Sequence, residues 1–93
     1  MNKGGLIMVR RSRLEIYFDV LEVIDKGTNI PTRIMYETNL SWTAACSVFD
    51  TLINSDFIKE ERWMSSKRYH ITEKGKNALS YHVKSLEGLI QNK

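Results

Sequence analysis

Apolar residues recur at three- and four-residue spacing in several stretches of the chain and alternate in one. Leu14, Tyr17, Phe18, Val20, Leu21 and Ile24 form the first set, the spacing of one helix face. Glu15, Asp19, Glu22 and Asp25 lie on the other side. Ser12 with Glu15 makes an S-x-x-E capping box directly before the run. Gly27 suits the left-handed residue that ends a helix. Together these signals predict a helix over about 13–26.

Pro31 fits the first position of a short helix, about 31–37, with Ile34 and Met35 apolar and Tyr36 beside them. "ETNLS" then reads as a tight turn, with Ser41 as N-cap of a helix over about 42–54. Ala45, Val48, Phe49 and Leu52 form its buried stripe; Thr43, Cys46 or Ser47, Asp50 and Asn54 form the opposite one. "FIKEER" starts with strand character, and "RYHIT" alternates, with Tyr69 and Ile71 on one face. "WMSSK" between them reads as a flexible hairpin tip. Thr72 caps a last helix over about 73–91, where Leu79, Val83, Leu86 and Ile90 follow heptad spacing for two repeats. The order α-α-α-β-β-α predicts an α+β, mostly α domain, a winged helix-turn-helix; another small α+β topology is the alternative.

Ninety-three residues make one domain, and 42% hydrophobic content with one Pro and five Gly argues against disorder. One Cys excludes an internal disulfide and fits a reducing compartment. "GLIMV" is too short for a signal core or a membrane span. The expectation is a cytoplasmic protein with no membrane partner. Met8 offers an alternative start, with residues 1–7 as an upstream extension.

Charge changes the picture more than composition does. The net charge is +3. Residues 1–13 hold Lys3, Arg10, Arg11 and Arg13 and no acid, and residues 59–76 hold six bases against three acids. The middle of the chain is mildly acidic. Two basic segments around an acidic centre suit a polyanion, although a solvated surface looks similar. His70 and His82, with one Cys, are too few and too far apart for zinc. No Gly-rich phosphate loop, H-x-x-x-H or nucleophile motif is present. No enzyme activity, metal or cofactor is expected.

"SRLEIYFDVLEVI", "TRIMYETNLSW" and "YHITEKGKNAL" resemble the small archaeal winged-helix DNA-binding proteins with a C-terminal dimerisation helix. The last segment carries Tyr69, Ile71, Thr72, Lys74 and Gly75, a pattern common in winged-helix regulators. The resemblance spans about 12–90. It implies a homodimeric, nucleoid-associated or regulatory protein that binds double-stranded DNA, paired through an antiparallel coiled coil. On that reading residues 1–11 are a flexible basic arm, 12–76 the DNA-binding domain and 77–93 the dimerisation helix. With only about 28 Å of last helix at 1.5 Å per residue, the coiled coil left to it is short.

Candidate contacts follow from charge and position. In the wing, Arg62, Lys67 and Arg68 surround Trp63; a hairpin tip of this kind follows phosphates or enters a minor groove, or is a solvated turn. Arg10, Arg11 and Arg13 form the arm, either a groove binder or a frayed tail. Arg33 either faces a phosphate or pairs with Glu37. Ser41, Trp42, Thr43 and Ser47 lie near the start of the third helix, the end that meets base edges in helix-turn-helix docking. That helix holds no Lys or Arg, so it lacks the usual bidentate readers near its start; Trp42 is alternatively a core residue. Cys46 reads as a small filler. Leu79, Val83, Leu86, Leu89 and Ile90 are the candidate dimer stripe, with Leu79 also suited to pack on the first helix. The second reading of the whole is a protein-protein module, favoured by the bare third helix and opposed by the basic wing and arm.

Overall fold

The computed structural model describes residues 11–91, with the side chains of Glu87, Leu89, Ile90 and Gln91 outside that description. The expectations for Arg10, Leu89 and Ile90 therefore lie outside it. The elements are α1 (Arg13–Asp25), α2 (Pro31–Thr38), α3 (Trp42–Asn54), β1 (Ile58–Trp63), β2 (Ser66–Ile71) and α4 (Glu73–Gln91). This is a mostly helical winged helix-turn-helix, and each helix boundary falls within a residue of its expected place.

Local bonding sets those boundaries. The Ser12 hydroxyl accepts the Glu15 amide at 3.1 Å, and the Glu15 carboxylate accepts the Ser12 amide at 2.7 Å. These bonds hold the Glu15 carboxyl below its usual range. α1 ends at Gly27, φ 113°, whose amide donates to Ile24, while the Thr28 amide donates to Val23. That bond pair is the Schellman arrangement. α2 begins at Pro31 and stops at Asn39, which takes the left-handed conformation, φ 62°; asparagine tolerates it better than most residues. Two residues later Ser41 accepts the Ala44 amide at 3.1 Å and starts α3. The turn between the two helices of the motif is thus fixed at both ends.

The core is drawn from every element. Val20, Leu21 and Ile24 of α1 meet Ile34 of α2 and Ala45, Val48, Phe49 and Leu52 of α3; Ile58, Tyr69 and Leu79 close it. Phe49 and Tyr69 pack ring against ring at 4.6 Å. Burial of each large side chain contributes about 1.5–3 kcal/mol. Leu14, expected on the buried face of α1, is exposed in the first turn, and Ile16 and Val23 pack against the core instead. His82 stacks flat on Phe18 at 3.9 Å, tying α4 to α1.

β1 and β2 pair antiparallel from Ile58↔Ile71 to Trp63↔Ser66. The expected five-residue flexible tip is tighter than that. Trp63 and Lys67 belong to the strands, and the Ser66 hydroxyl donates to the Trp63 carbonyl at 3.0 Å, which closes a two-residue turn. Met64 holds that turn with φ 58°, where a side chain is strained, and its own side chain is 84% exposed. Met64→Gly therefore removes strain without losing packing. It should raise stability by roughly 0.5–1 kcal/mol in urea titration, the left-handed penalty less the added entropy of glycine. A loss of stability would contradict this turn geometry. On the other side of β2, the Tyr69 amide donates to the Asn29 carbonyl at 2.8 Å. The linker before α2 thus adds one rung to the sheet.

The T-x-K-G segment acquires a physical reason. The Thr72 hydroxyl accepts the Gly75 amide at 3.0 Å, capping α4, and donates to the Asp56 carbonyl at 2.7 Å. Gly75 is buried directly against the Phe57 carbonyl and the Ile71 side chain. Lys74 lies 5.6 Å from the centre of the Phe57 ring. One short stretch therefore joins the end of α3, both strands and the start of α4.

Candidate nucleic-acid interface

The outer face of α3 is held out by its buried stripe. Ser41, Trp42, Thr43, Ser47 and Asp50 are exposed, and Cys46 is half-buried. Trp42 stands 50% exposed, so it is not a core residue. Ser41 is committed to capping through its side chain. A cleft runs along each flank of this helix.

The cleft on the α1 side, about 320 Å3, is lined by Arg11, Arg13 and Tyr17 facing Leu40, Ala44 and Ser47. The neighbouring Arg13 and Thr51 side chains hold the Tyr17 phenol below its usual pKa. Arg11 is ion-paired to Asp19 at 2.8 Å. The base of the arm therefore joins the outer face of α3 beside Ser47, a juxtaposition of residues more than thirty positions apart. Periodicity carries no sign of it, and it adds Tyr17 to the candidate surface.

The cleft on the wing side, about 300 Å3, lies between α3, the start of α2 and β2. Ile30, Pro31, Trp42, Phe49 and Tyr69 form its apolar and aromatic walls, with Asp50 and Lys67 among its polar groups. Burial, with the nearby carboxylates of Glu60 and Asp50, pushes the Tyr69 phenol up to about 12.

The wing bases divide between the two faces of the hairpin. Arg62 pairs with Lys67 in the register and shares the Tyr69 face; Arg68 lies with Trp63 and His70 on the other. Lys67 Nζ is 4.0 Å from a Glu60 oxygen, and His70 Nε2 is 2.7 Å from Glu61. The Arg68 guanidinium carbon sits 5.9 Å from the centre of the Trp63 ring, within cation-π range. Its Nε is buried and has no hydrogen bond to the described residues. Arg33 pairs with Glu37 at 3.7 Å while remaining 67% exposed. Such half-exposed pairs are each worth about 0–1 kcal/mol. Arg11, Arg33 and Lys67 can therefore exchange a carboxylate for a phosphate with little loss.

On α4, Val83 and Leu86 are 40% and 47% exposed. Leu79 is 8% exposed and serves the core of its own chain. Among the described residues no group of three or more His, Cys, Asp or Glu is arranged to hold a metal. No described helix is long and apolar enough to cross a membrane.

A winged helix-turn-helix family profile matches residues 10–90. An uncharacterised protein of Methanocaldococcus jannaschii is 37% identical over 79 residues, covering 85% of this chain and 77% of its own. The crystal structure of Sso10a-2, a DNA-binding protein from Sulfolobus solfataricus, superposes with a TM-score of 0.68 at 27% identity, covering 86% of each chain. The homodimeric winged helix-turn-helix DNA-binding domain from Mycobacterium bovis superposes at 0.74 with 14% identity, covering 84% of this chain and 73% of that one; at this identity the likeness is one of fold. With the caps, the tight turn, the hairpin and these matches in agreement, the chain belongs to the winged helix-turn-helix family, among whose members are small archaeal winged-helix proteins.

Proposed function

We propose that the protein is a homodimeric DNA-binding protein of the regulatory or nucleoid-associated kind, gripping duplex DNA mainly through phosphates. The observation that carries this reading is the distribution of bases around α3. Arg11 and Arg13 flank it on one side and Lys67 of the wing on the other, while the helix itself offers Thr43 and Ser47. The helix approaches the groove, and cations on both flanks meet the backbone. Phosphate contacts position a protein without specifying sequence, and base contacts specify it. Trp63, Arg62 and Arg68 extend the footprint at the wing tip.

The reading predicts sequence tolerance. Duplexes of unrelated sequence should bind with comparable affinity in an electrophoretic shift assay. A preference of more than about a thousandfold for one sequence, within the range of specific readers, would overturn the limited base readout. No binding to any duplex would instead favour a winged helix that holds another protein through its bare α3.

Val83 and Leu86 support self-association, because a lone helix gains little from exposed branched residues at heptad spacing. The M. bovis domain is described as homodimeric. Leu86→Asp should give a monomer in sedimentation equilibrium and leave helix content unchanged. An unchanged dimer mass would remove this stripe as the interface. Two symmetry-related domains would meet successive grooves about 34–36 Å apart or a multiple of it.

A further inference from the structure

Asp50 has no place in a phosphate-binding surface. It stands exposed on the outer face of α3 and makes no ion pair among the described residues. Its position in the wing-side cleft gives it one. We propose that this cleft is a binding site for a small aromatic cation, an arylalkylamine held by its ring between Trp42 and the apolar wall and by its ammonium at Asp50.

The cavity fits the chemistry. At about 300 Å3 it lies at the small end of ligand pockets, which are mainly apolar with a few placed polar groups. Ile30 and Pro31 at the start of α2, Phe49 of α3 and Tyr69 of β2 come from three separate parts of the fold and meet here around one opening. None of them is needed at the surface for a phosphate contact. Trp42 is half exposed at this cleft, and an indole face attracts both a ring and a cation.

The charges fix the sign of the ligand. Asp50 lines the opening, and Glu60 lies close enough for both carboxylates to act on the Tyr69 hydroxyl. Lys67 is the cation of the lining, and its ammonium is turned to Glu60. An ammonium therefore meets the carboxylate of Asp50, which is unpaired among the described residues and would repel a carboxylate ligand. The site is distinct from the basic cleft on the α1 side, and its existence does not depend on whether the protein binds DNA.

Cys46 supplies the test, since it lines this cleft and is the chain's one cysteine. The full-length protein is alkylated with iodoacetamide, and the rate at Cys46 is followed by mass spectrometry. The probe is 2-phenylethylamine, with 3-phenylpropanoate as a control of like shape and opposite charge. The amine should slow alkylation saturably, with half-protection in the millimolar range or below. Asp50→Asn should weaken protection about tenfold, the scale of one charge-assisted hydrogen bond, measured relative to that variant's own alkylation rate without amine. Trp42→Ala should weaken it as well, which separates ring capture from simple ion pairing. No protection at about 50 mM amine, far above a millimolar affinity, would overturn the proposal. Equal protection by the acid, or by the amine in Asp50→Asn, would overturn it too. All these rates are measured without DNA, so failure to bind duplex leaves the outcome untouched.

Discussion

Replacing Gly75 by alanine should destabilise the fold by about 2–3 kcal/mol, the scale of overpacking a tight site. The sign is informative. In an exposed helix the same change would gain about 1 kcal/mol of helix propensity. Gly75 sits in the first turn of α4, so propensity alone predicts stabilisation. Yet a Cβ there would press into the Phe57 carbonyl oxygen and approach the Ile71 side chain at 2.8 Å. The carbonyl is backbone, and it already accepts bonds from the Thr72 amide and hydroxyl. It cannot retreat without opening the junction of α3, the hairpin and α4. For a domain of this size the loss amounts to a fall in Tm of about 10–20 °C. Thermal unfolding followed by circular dichroism measures it, and an unchanged or raised Tm would contradict the close approach.

The second large effect belongs to the wing. Lys67→Ala with Arg68→Ala should lower affinity for duplex DNA about a hundredfold at moderate salt. The loss should be similar for every sequence, because phosphate contacts carry no sequence information. A dimer loses four cations by this change. The slope of log affinity against log salt should therefore become shallower by about 3 to 4, at roughly 0.9 per phosphate. The two residues sit on opposite faces of the hairpin, so a single groove wall does not collect both. Lys67 lies beside α3, and Arg68 lies with Trp63 at the outer face. A loss confined to one target sequence would mean that the wing reads bases instead.

How far the sequence foretold this structure depends on the range of the interaction. Ser12, Gly27, Pro31 and Ser41 act within four residues of themselves, so caps and turns declared each helix end. The buried stripe of α3 was equally legible, because its period is intrinsic to the helix. The turn at Met64 was not, since nothing local marks methionine for a left-handed position. Leu14 was assigned to the core by its spacing alone; spacing gives a face but does not say how far the neighbouring helices extend along it. The site shows the same divide. The basic wing and arm stand out in composition, whereas the approach of Arg13 and Tyr17 to Ser47 arises only from packing. The same is true of the cleft that joins Ile30, Asp50 and Tyr69. A bare α3 first suggested a reader without tools. The clefts recast it as a frame with cations on its flanks, and the proposed amine site would give Asp50 a partner.

A grip on duplex DNA through its phosphates carries a salt signature. Fluorescence anisotropy of a labelled random-sequence duplex, titrated across a tenfold range of salt, tests it most directly. Binding through phosphates predicts a linear fall of log affinity with log salt at a slope of about −3.6 or steeper, from at least four phosphates neutralised per dimer. A slope shallower than about −1, less than two phosphates' worth, or no binding by about 100 µM at low salt, short of the usual range of non-specific affinity, would contradict it.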